Sequence, residues 1–226
     1  MRDIVSGGYM GVPFFVRATA NGWEKPVILR DREGGHLEAG RFWNPDTRKH
    51  VDGKVPKWGS PDRAYSALAL DWDGDGDQDL LRGTSKGSFL IRINEGSPGK
   101  HAFATQAVAL ETAIPGQYAM PVAQDWDGDG LWDLISGSQT GEVYWFRNTG
   151  SPKEPDFSTK PTQLVEGAEA EGRGRGSHAQ VEVCDWDGDG DLDLLVGDCH
   201  LHYDREKQEW DNHGYIWLYR REAQSR

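Results

Sequence analysis

The strongest constraint on the fold of this chain is an acidic segment of nine residues that occurs three times. Each copy has Asp at its first, third, fifth and ninth positions, Trp at the second, and Gly at the fourth and sixth. The copies span residues 71–79, 125–133 and 185–193, so their starts lie 54 and 60 residues apart. A repeat of this period indicates one structural unit per copy.

The residues that follow each acidic segment repeat as well. Two apolar residues come directly after the last Asp, and a Gly lies four positions after it, at Gly83, Gly137 and Gly197. Residues 3–7 repeat this tail as Asp-Ile-Val-Ser-Gly, with no acidic segment before it. The chain therefore holds four copies, and the first lacks its acidic segment.

Each copy is predicted to form four short strands, A to D, with the acidic segment joining A to B. Apolar residues on both faces of strand A indicate a covered inner strand, and aromatic and β-branched residues dominate strand C. Residues 101–113 have a helical composition, but their alignment with the next copy places Pro161 in the middle, which favours an outer edge strand D. The predicted strands are A at 64–70, 118–124 and 179–184, B from 3, 79, 133 and 193, and C at 12–16, 89–93, 143–147 and 215–219.

Four antiparallel strands in a unit of this length are typical of a β-propeller blade. The run D-W-D-G-D-G-x-x-D-L-L/I-x-G, followed by a Gly turn and Val-Tyr-Trp-Phe-Arg-Asn-Thr-Gly at 143–150, resembles the FG-GAP/VCBS repeat. Integrin α chains and many secreted bacterial proteins carry such repeats. The resemblance covers nearly the whole chain and implies a calcium-bound β-propeller in an extracellular or cell-envelope location.

The predicted fold is all-β, a single β-propeller domain over 1–226 with two complete four-stranded antiparallel blades and two partial ones. The first copy lacks strand A and the last lacks strand D, so we expect the chain to be the C-terminal part of a larger propeller, of about seven blades. The copies are assigned to 1–31 (strands B–D), 63–110, 117–165 and 176–226 (strands A–C), with a long inter-blade insertion at 32–62.

The acidic segments are predicted to hold three Ca²⁺ ions, because calcium takes about six to eight oxygen ligands in an adaptable shell. Positions 1, 3, 5 and 9 offer carboxylates, position 7 offers a backbone carbonyl, and Gly at positions 4 and 6 allows the tight turn. The predicted ligand residues are Asp71, Asp73, Asp75, Asp77, Asp79, Asp125, Asp127, Asp129, Leu131, Asp133, Asp185, Asp187, Asp189, Asp191 and Asp193.

An EF-hand and an acidic surface loop without metal are the two alternatives to this calcium site. An EF-hand needs Glu at position 12, where this chain has Arg82, Ser136 and Val196, so that motif is excluded. An acidic surface loop without metal is the remaining alternative, but four Asp within nine residues repel one another unless a cation holds them.

The charge of the chain is concentrated in these segments. The formal net charge is −12, and 14 of the 37 acidic residues lie in the three copies, which leaves 23 acids against 25 bases elsewhere. With no basic surplus to neutralise phosphates, a nucleic-acid partner is not expected. No apolar run approaches the roughly 18 residues of a membrane span, and no secretory signal is visible at the N-terminus.

The long insertions at 32–62, 166–176 and 198–213 are expected on the propeller face opposite the acidic segments, because strand direction alternates within a blade. Loops on a rigid scaffold commonly carry recognition, so a binding or scaffold module for a glycan or protein ligand is the favoured function. Self-association through the open end blades is a further expectation. The candidate ligand-face residues are Trp43, Trp58, Arg173, Arg175, His200, His202, Trp210 and His213.

The alternative function is a carbohydrate-active enzyme, a polysaccharide lyase or hydrolase. Such an enzyme needs paired carboxylates or a cluster of bases in one cleft, and the only dense acids are assigned to calcium, so no enzymatic activity is expected. The histidines of the 198–213 insertion suit a transition metal or catalysis, although a solvated loop is favoured. The Trp at position 2 of each acidic segment suits a sugar platform, although packing against the neighbouring blade is favoured.

Overall fold

A computed structural model describes residues 3–7, 12–37, 41–44, 47–52, 64–97, 100–168, 176–204 and 206–222; for 41–44, 51–52 and 201–204 it describes the backbone alone. Every regular element in these ranges is a β-strand, and none contains a helix long and apolar enough to cross a membrane. The strands are β1 (Ile4–Ser6), β2 (Phe14–Val16), β3 (Ala18–Thr19), β4 (Gly22–Trp23), β5 (Val27–Ile28), β6 (Arg41–Asn44), β7 (Lys49–Asp52), β8 (Leu68–Leu70), β9 (Asp79–Gly83), β10 (Ser88–Arg92), β11 (Val108–Ala113), β12 (Met120–Gln124), β13 (Asp133–Gly137), β14 (Val143–Phe146), β15 (Thr162–Val165), β16 (Ser177–Cys184), β17 (Asp193–Asp204), β18 (Glu209–His213) and β19 (Ile216–Tyr219).

Four antiparallel sheets form the blades of the fold. Blade 1 has the strand order β1-β2-β5, blade 2 the order β8-β9-β10-β11, and blade 3 the order β12-β13-β14-β15. In blade 4, β17 pairs with both β16 and β19. The four sheets stand in a ring that resembles a four-bladed β-propeller, and their inner ends line a central cavity of about 370 Å³.

Successive blades are joined by clusters of buried apolar side chains, because each blade is apolar on both of its faces. Leu29 of blade 1 packs with Leu80 and Phe103 of blade 2. Phe89 of blade 2 meets Phe146 of blade 3 edge to face at 5.2 Å. The third cluster joins Val143 and other residues of blade 3 to blade 4. Among the described residues, no such cluster joins blade 4 to blade 1.

The repeated Gly at the end of the second strand allows the blades to approach closely. A Cβ atom added at Gly7, Gly83 or Gly137 would lie 2.0–2.1 Å from a backbone carbonyl oxygen of the next blade's inner segment. At Gly197 of blade 4 the nearest atom is the Gln180 carbonyl oxygen of the same blade, 3.9 Å away. Three junctions therefore need glycine for packing, whereas no described atom crowds Gly197.

The predicted fold class is confirmed: blades 2 and 3 have four strands, and blades 1 and 4 have three blade strands each. The larger ring of about seven blades remains a prediction. The predicted outer strand at 101–113 is shorter in the structure, where β11 begins at Val108 and Phe103 forms an isolated bridge to Asn94.

The 198–213 insertion was expected to be a solvated loop; residues 206–213 are exposed to solvent, but the backbone forms a β-hairpin instead of a loop. Strand β17 continues from the blade to Asp204 and pairs in register with β18, His200 lying opposite His213. Along β17, Cys199, Leu201 and Tyr203 alternate with polar residues, a pattern typical of a strand, and β18 pairs with this strand across the turn. Part of the 32–62 insertion is a second hairpin, in which β6 pairs with β7.

Candidate metal centres

Each acidic segment is the loop that connects the inner strand of a blade to the second strand. We call them loop 1 (71–79), loop 2 (125–133) and loop 3 (185–193). All six glycines at loop positions 4 and 6 have positive φ, between 72° and 95°. Only glycine adopts this conformation without strain, which explains why both positions are Gly in every copy.

Backbone amides within each loop donate hydrogen bonds to the Asp side chains and hold them in place. The Gly130 amide donates to Asp125 Oδ2 at 3.0 Å, and the Gly190 amide donates to Asp185 Oδ2 at 3.2 Å. The Leu131 amide donates to Asp129 Oδ1 at 2.9 Å, one step further along the loop. Backbone amides of the loops themselves therefore orient the carboxylates at positions 1 and 5.

The ninth position anchors the loop to the blade. Asp79, Asp133 and Asp193 are at most 1% exposed. Asp79 accepts the amides of Trp72 and Asn94 at 2.8 and 2.6 Å. The corresponding carboxylates of the other two loops accept equivalent amides from the end of strand three of their own blades. This Asp therefore fixes the start of the loop against the third strand.

The structure brings three carboxylates together in each loop. In each group the ligand atoms lie within 4.8 Å of one another. The groups are Asp71, Asp73 and Asp79 in loop 1, Asp125, Asp127 and Asp129 in loop 2, and Asp185, Asp187 and Asp193 in loop 3. These clusters could hold metal ions; the other predicted ligands belong to the same loops but to none of the three groups: Asp75, Asp77, Leu131, Asp133, Asp189 and Asp191.

Two carboxylate oxygens of loop 1 that lack hydrogen-bond partners favour a cation. Asp71 Oδ1 and Asp77 Oδ1 are buried and have no hydrogen-bond partner. Burial, followed by the negative charges of Asp75, Asp73 and Asp71, raises the pKa of Asp77 above its ordinary value. Burial also raises the pKa of Asp79 and of Asp133, although the amides that they accept oppose the shift.

Two arginines supply part of the compensating charge in loops 2 and 3. Arg147 Nε lies 2.6 Å from Asp127 Oδ2, and Arg220 Nη1 lies 3.4 Å from Asp187 Oδ2. Both arginines follow the third strand of their own blade, and both contact the Asp at loop position 3. The sequence analysis missed this pair, although the repeated Arg at matching positions after Phe146 and Tyr219 was the signal.

The Trp at loop position 2 packs against the next blade in loops 1 and 2. Trp72 and Trp126 are each 8% exposed, and the Trp72 ring lies 4.8 Å from Trp132 of blade 3. The favoured packing role is confirmed for these two residues. It was wrong for Trp186, which is 59% exposed because no described blade lies beyond it.

The candidate ligand-face residues fall into three groups. Trp58, Arg173 and Arg175 lie outside the described residues, and Trp43 and His202 are described only as backbone within β6 and β17. The other three, His200, Trp210 and His213, lie on the hairpin β17–β18.

On this hairpin the imidazole rings of His200 and His213 stack at 4.8 Å. Tyr215, which the sequence analysis did not single out, extends this row, with its ring 5.4 Å from His213. At the base of the hairpin, Asp198 accepts hydrogen bonds from the amides of Gly176 and Tyr215 and from the Trp217 indole. Burial opposes the ionisation of Asp198, but these hydrogen bonds hold its pKa below the ordinary value.

The comparison with known families agrees with this geometry. Residues 125–196 match the FG-GAP-like repeat. The matched range contains loops 2 and 3 and the strands between them. Loop 1 lies outside it and has the same spacing of Asp and Gly. No curated protein matches the chain.

Proposed function

We propose that this protein is a calcium-stabilised β-propeller that acts outside the cytoplasm as a binding or scaffold module. The observation that carries the proposal is the threefold recurrence of a self-ordered carboxylate cluster at equivalent places on the blades. The ligand set is made only of oxygen atoms, which suits a hard cation such as calcium better than a transition metal.

In this proposal the carboxylates at loop positions 1, 3, 5 and 9 hold the ion, and the backbone carbonyl at position 7 completes its shell. The residue at position 7 is Asp77, Leu131 or Asp191, and a carbonyl ligand is compatible with all three side chains. The bound ion would neutralise charge that burial and crowding otherwise penalise, and it would tie the inner strand of a blade to the second strand. Its role is structural.

The proposed recognition surface is the hairpin β17–β18 together with the start of β19. Trp210 is 65% exposed, and Tyr215, which is 55% exposed, adjoins the stacked pair of His200 and His213. Aromatic side chains with a polar edge provide large contact areas at low entropic cost, and they dominate recognition surfaces. These features support a glycan or protein ligand.

Among the described side chains of the hairpin, His213 and Asp211 form a pair suited to acid–base chemistry. His213 Nδ1 lies 3.3 Å from Asp211 Oδ1. Both side chains are exposed on the hairpin, whereas the central cavity is lined by the inner strands. An exposed pair without a cleft does not position a substrate, so a binding role is the one proposed.

A glycan array tests the proposed function, probed with the protein in calcium and again after chelation. We expect at least one glycan class to bind in calcium, and the Trp210→Ala variant to lose most of that signal. Trp23→Ala is the matched control, because Trp23 is also exposed (53%) but lies on the β3–β4 hairpin. Equal loss in both variants, or full binding by Trp210→Ala, would contradict the assigned surface.

A further inference from the structure

A cavity of about 420 Å³ lies between blades 1 and 2, beside loop 1. We call it the first-junction cavity. Phe15, His101 and Phe103 form an aromatic wall, in which the His101 ring lies 6.4 Å from Phe15 and 5.5 Å from Phe103. Leu29 and Leu80 form part of its apolar lining. The cavity is therefore shaped for a flat apolar group.

The junction between blades 2 and 3 shows which chemical group fills the position equivalent to the first-junction cavity. Between blades 2 and 3, the indole of Trp72 packs on Trp132 and Phe157, at 4.8 and 6.1 Å. In blade 2, Gln78 corresponds to Trp132 and Phe103 corresponds to Phe157 in the repeat alignment. Both Gln78 and Phe103 line the first-junction cavity. The cavity thus occupies the position that an indole fills one blade further along.

Blade 1 also keeps the acceptor that the tryptophan backbone uses. In loops 1 and 3 the ninth-position Asp accepts the amide of the loop Trp, at 2.8 Å in Asp79 and 3.0 Å in Asp193. Asp3 is the equivalent residue of blade 1, lines the cavity, and accepts the Ala18 amide through Oδ1 at 2.7 Å. The other oxygen of Asp3, Oδ2, corresponds to the oxygen of Asp79 and Asp193 that accepts the tryptophan amide.

A third feature concerns charge. Arg17 lines the cavity and is in register with Arg147 and Arg220, which contact the Asp one residue after the Trp in their own loops. Arg17 lies over the Phe15 ring, 5.8 Å from its centroid. The first-junction cavity thus combines an indole-sized space, an acceptor for a tryptophan amide and a cation placed for the following carboxylate.

We propose that the first-junction cavity binds the tryptophan of an acidic Asp-Trp-Asp peptide loop, the same type of loop that this chain builds three times. The indole enters between Phe15 and Phe103, Asp3 accepts the tryptophan amide, and Arg17 pairs with the Asp that follows. The site is separate from the hairpin surface and does not depend on the proposed glycan recognition.

The test is isothermal titration calorimetry of the whole protein, in calcium, with a peptide of residues 185–193 as the probe. We expect saturable binding with one peptide per chain, and a loss of at least about tenfold in affinity when the peptide's Trp is replaced by Ala. Free 3-methylindole, which lacks the amide and the carboxylate, should bind more weakly than the peptide. No binding of the peptide, or equal affinity for the Ala peptide or for 3-methylindole, would overturn the proposal.

Variants of the protein locate the site. Phe103→Ala should weaken peptide binding by about tenfold, whereas Phe157→Ala, at the same register in blade 3, should destabilise the fold similarly and leave the affinity within about twofold. Arg17→Gln removes an exposed charge with little risk to folding, and it should weaken binding and flatten its dependence on salt. Equal effects of Phe103→Ala and Phe157→Ala, or unchanged affinity and salt dependence in Arg17→Gln, would overturn the assignment.

Discussion

At the scale of single residues, the acidic loops combine charges that repel with a backbone that holds them together. Glycines in the left-handed region turn the chain, and amides fix the carboxylates at positions 1, 3 and 5. Asp77 is the clearest case of this charge repulsion, because it is only 4% exposed and faces three other Asp side chains of its loop. Without a cation these groups oppose folding.

This opposition predicts a pH dependence for the calcium-free protein. The pKa of Asp77 is raised in the folded state, so the native protein binds more protons than the unfolded chain above the unfolded pKa of about 3.9. Stability should therefore fall as pH rises through the folded pKa. Asp77→Asn, measured in chelator, should melt at a higher temperature than the original protein at pH 7, and the difference should vanish toward about pH 4.

The matched control is Asp191→Asn, at the same position of loop 3, where the side chain is less buried and a smaller gain is expected. A lower melting temperature for Asp77→Asn at pH 7, or a difference that does not change with pH, would show that the Asp77 charge does not oppose folding.

The candidate metal ligands could be assigned from the sequence because their order depends on local backbone turns. Gly at positions 4 and 6 and Asp at alternate positions specify the loop within nine residues. The exposure of Trp186 could not be predicted in this way, because it depends on whether another blade lies beyond blade 4. Arg147 and Arg220 were missed for a related reason, since their contacts cross from the third strand to the loop.

At the scale of strands and blades, close packing depends on the repeated glycine. The predicted inner, second and third strands of blades 2 to 4 are found, with ends shifted by up to four residues. The hairpin β17–β18 was missed because the sequence analysis assigned the residues between two blade strands to a loop. Apolar and polar residues alternate through the β17 half of that insertion, and this local pattern prevailed over the repeat pattern.

The glycines provide a prediction with an internal control. Gly137→Ala would place a Cβ 2.0 Å from the Ala179 carbonyl oxygen, so we expect it to destabilise the fold by about 2 kcal/mol or more. Gly197→Ala meets only an oxygen 3.9 Å away and should change the stability by less than about 0.5 kcal/mol. Chemical denaturation of the two variants measures both. Equal destabilisation would mean that blade packing is not the reason for these glycines.

At the scale of the whole molecule, blade 4 exposes apolar side chains within the part of the chain that the structure describes. Ile216 is 78% exposed, whereas Phe89 and Val143, at the same register in blades 2 and 3, are fully buried. Leu218, two residues further along the same strand, and Trp186 of loop 3 are exposed as well. Contiguous exposed apolar residues of this kind mark interaction surfaces, and the corresponding faces of blades 2 and 3 each pack against another blade.

We expect this face to drive self-association. Sedimentation velocity over a range of concentrations should show reversible oligomers, and Ile216→Lys should shift the protein to monomer without lowering its melting temperature. Val143→Lys is the matched control, because a charge at that buried register should unfold the protein. A wild-type chain that remains monomeric at every concentration would contradict this expectation.

The central claim is that three calcium ions stabilise an FG-GAP-like propeller, and calorimetric melting during a calcium titration tests it most directly. With dissociation constants of about 1 mM, each site should add about 1.4 kcal/mol at 10 mM calcium. The melting temperature should therefore rise with calcium, and Asp71→Asn, Asp125→Asn and Asp185→Asn should each remove about a third of the gain. Identical melting of the original protein with calcium and with chelator would contradict the account.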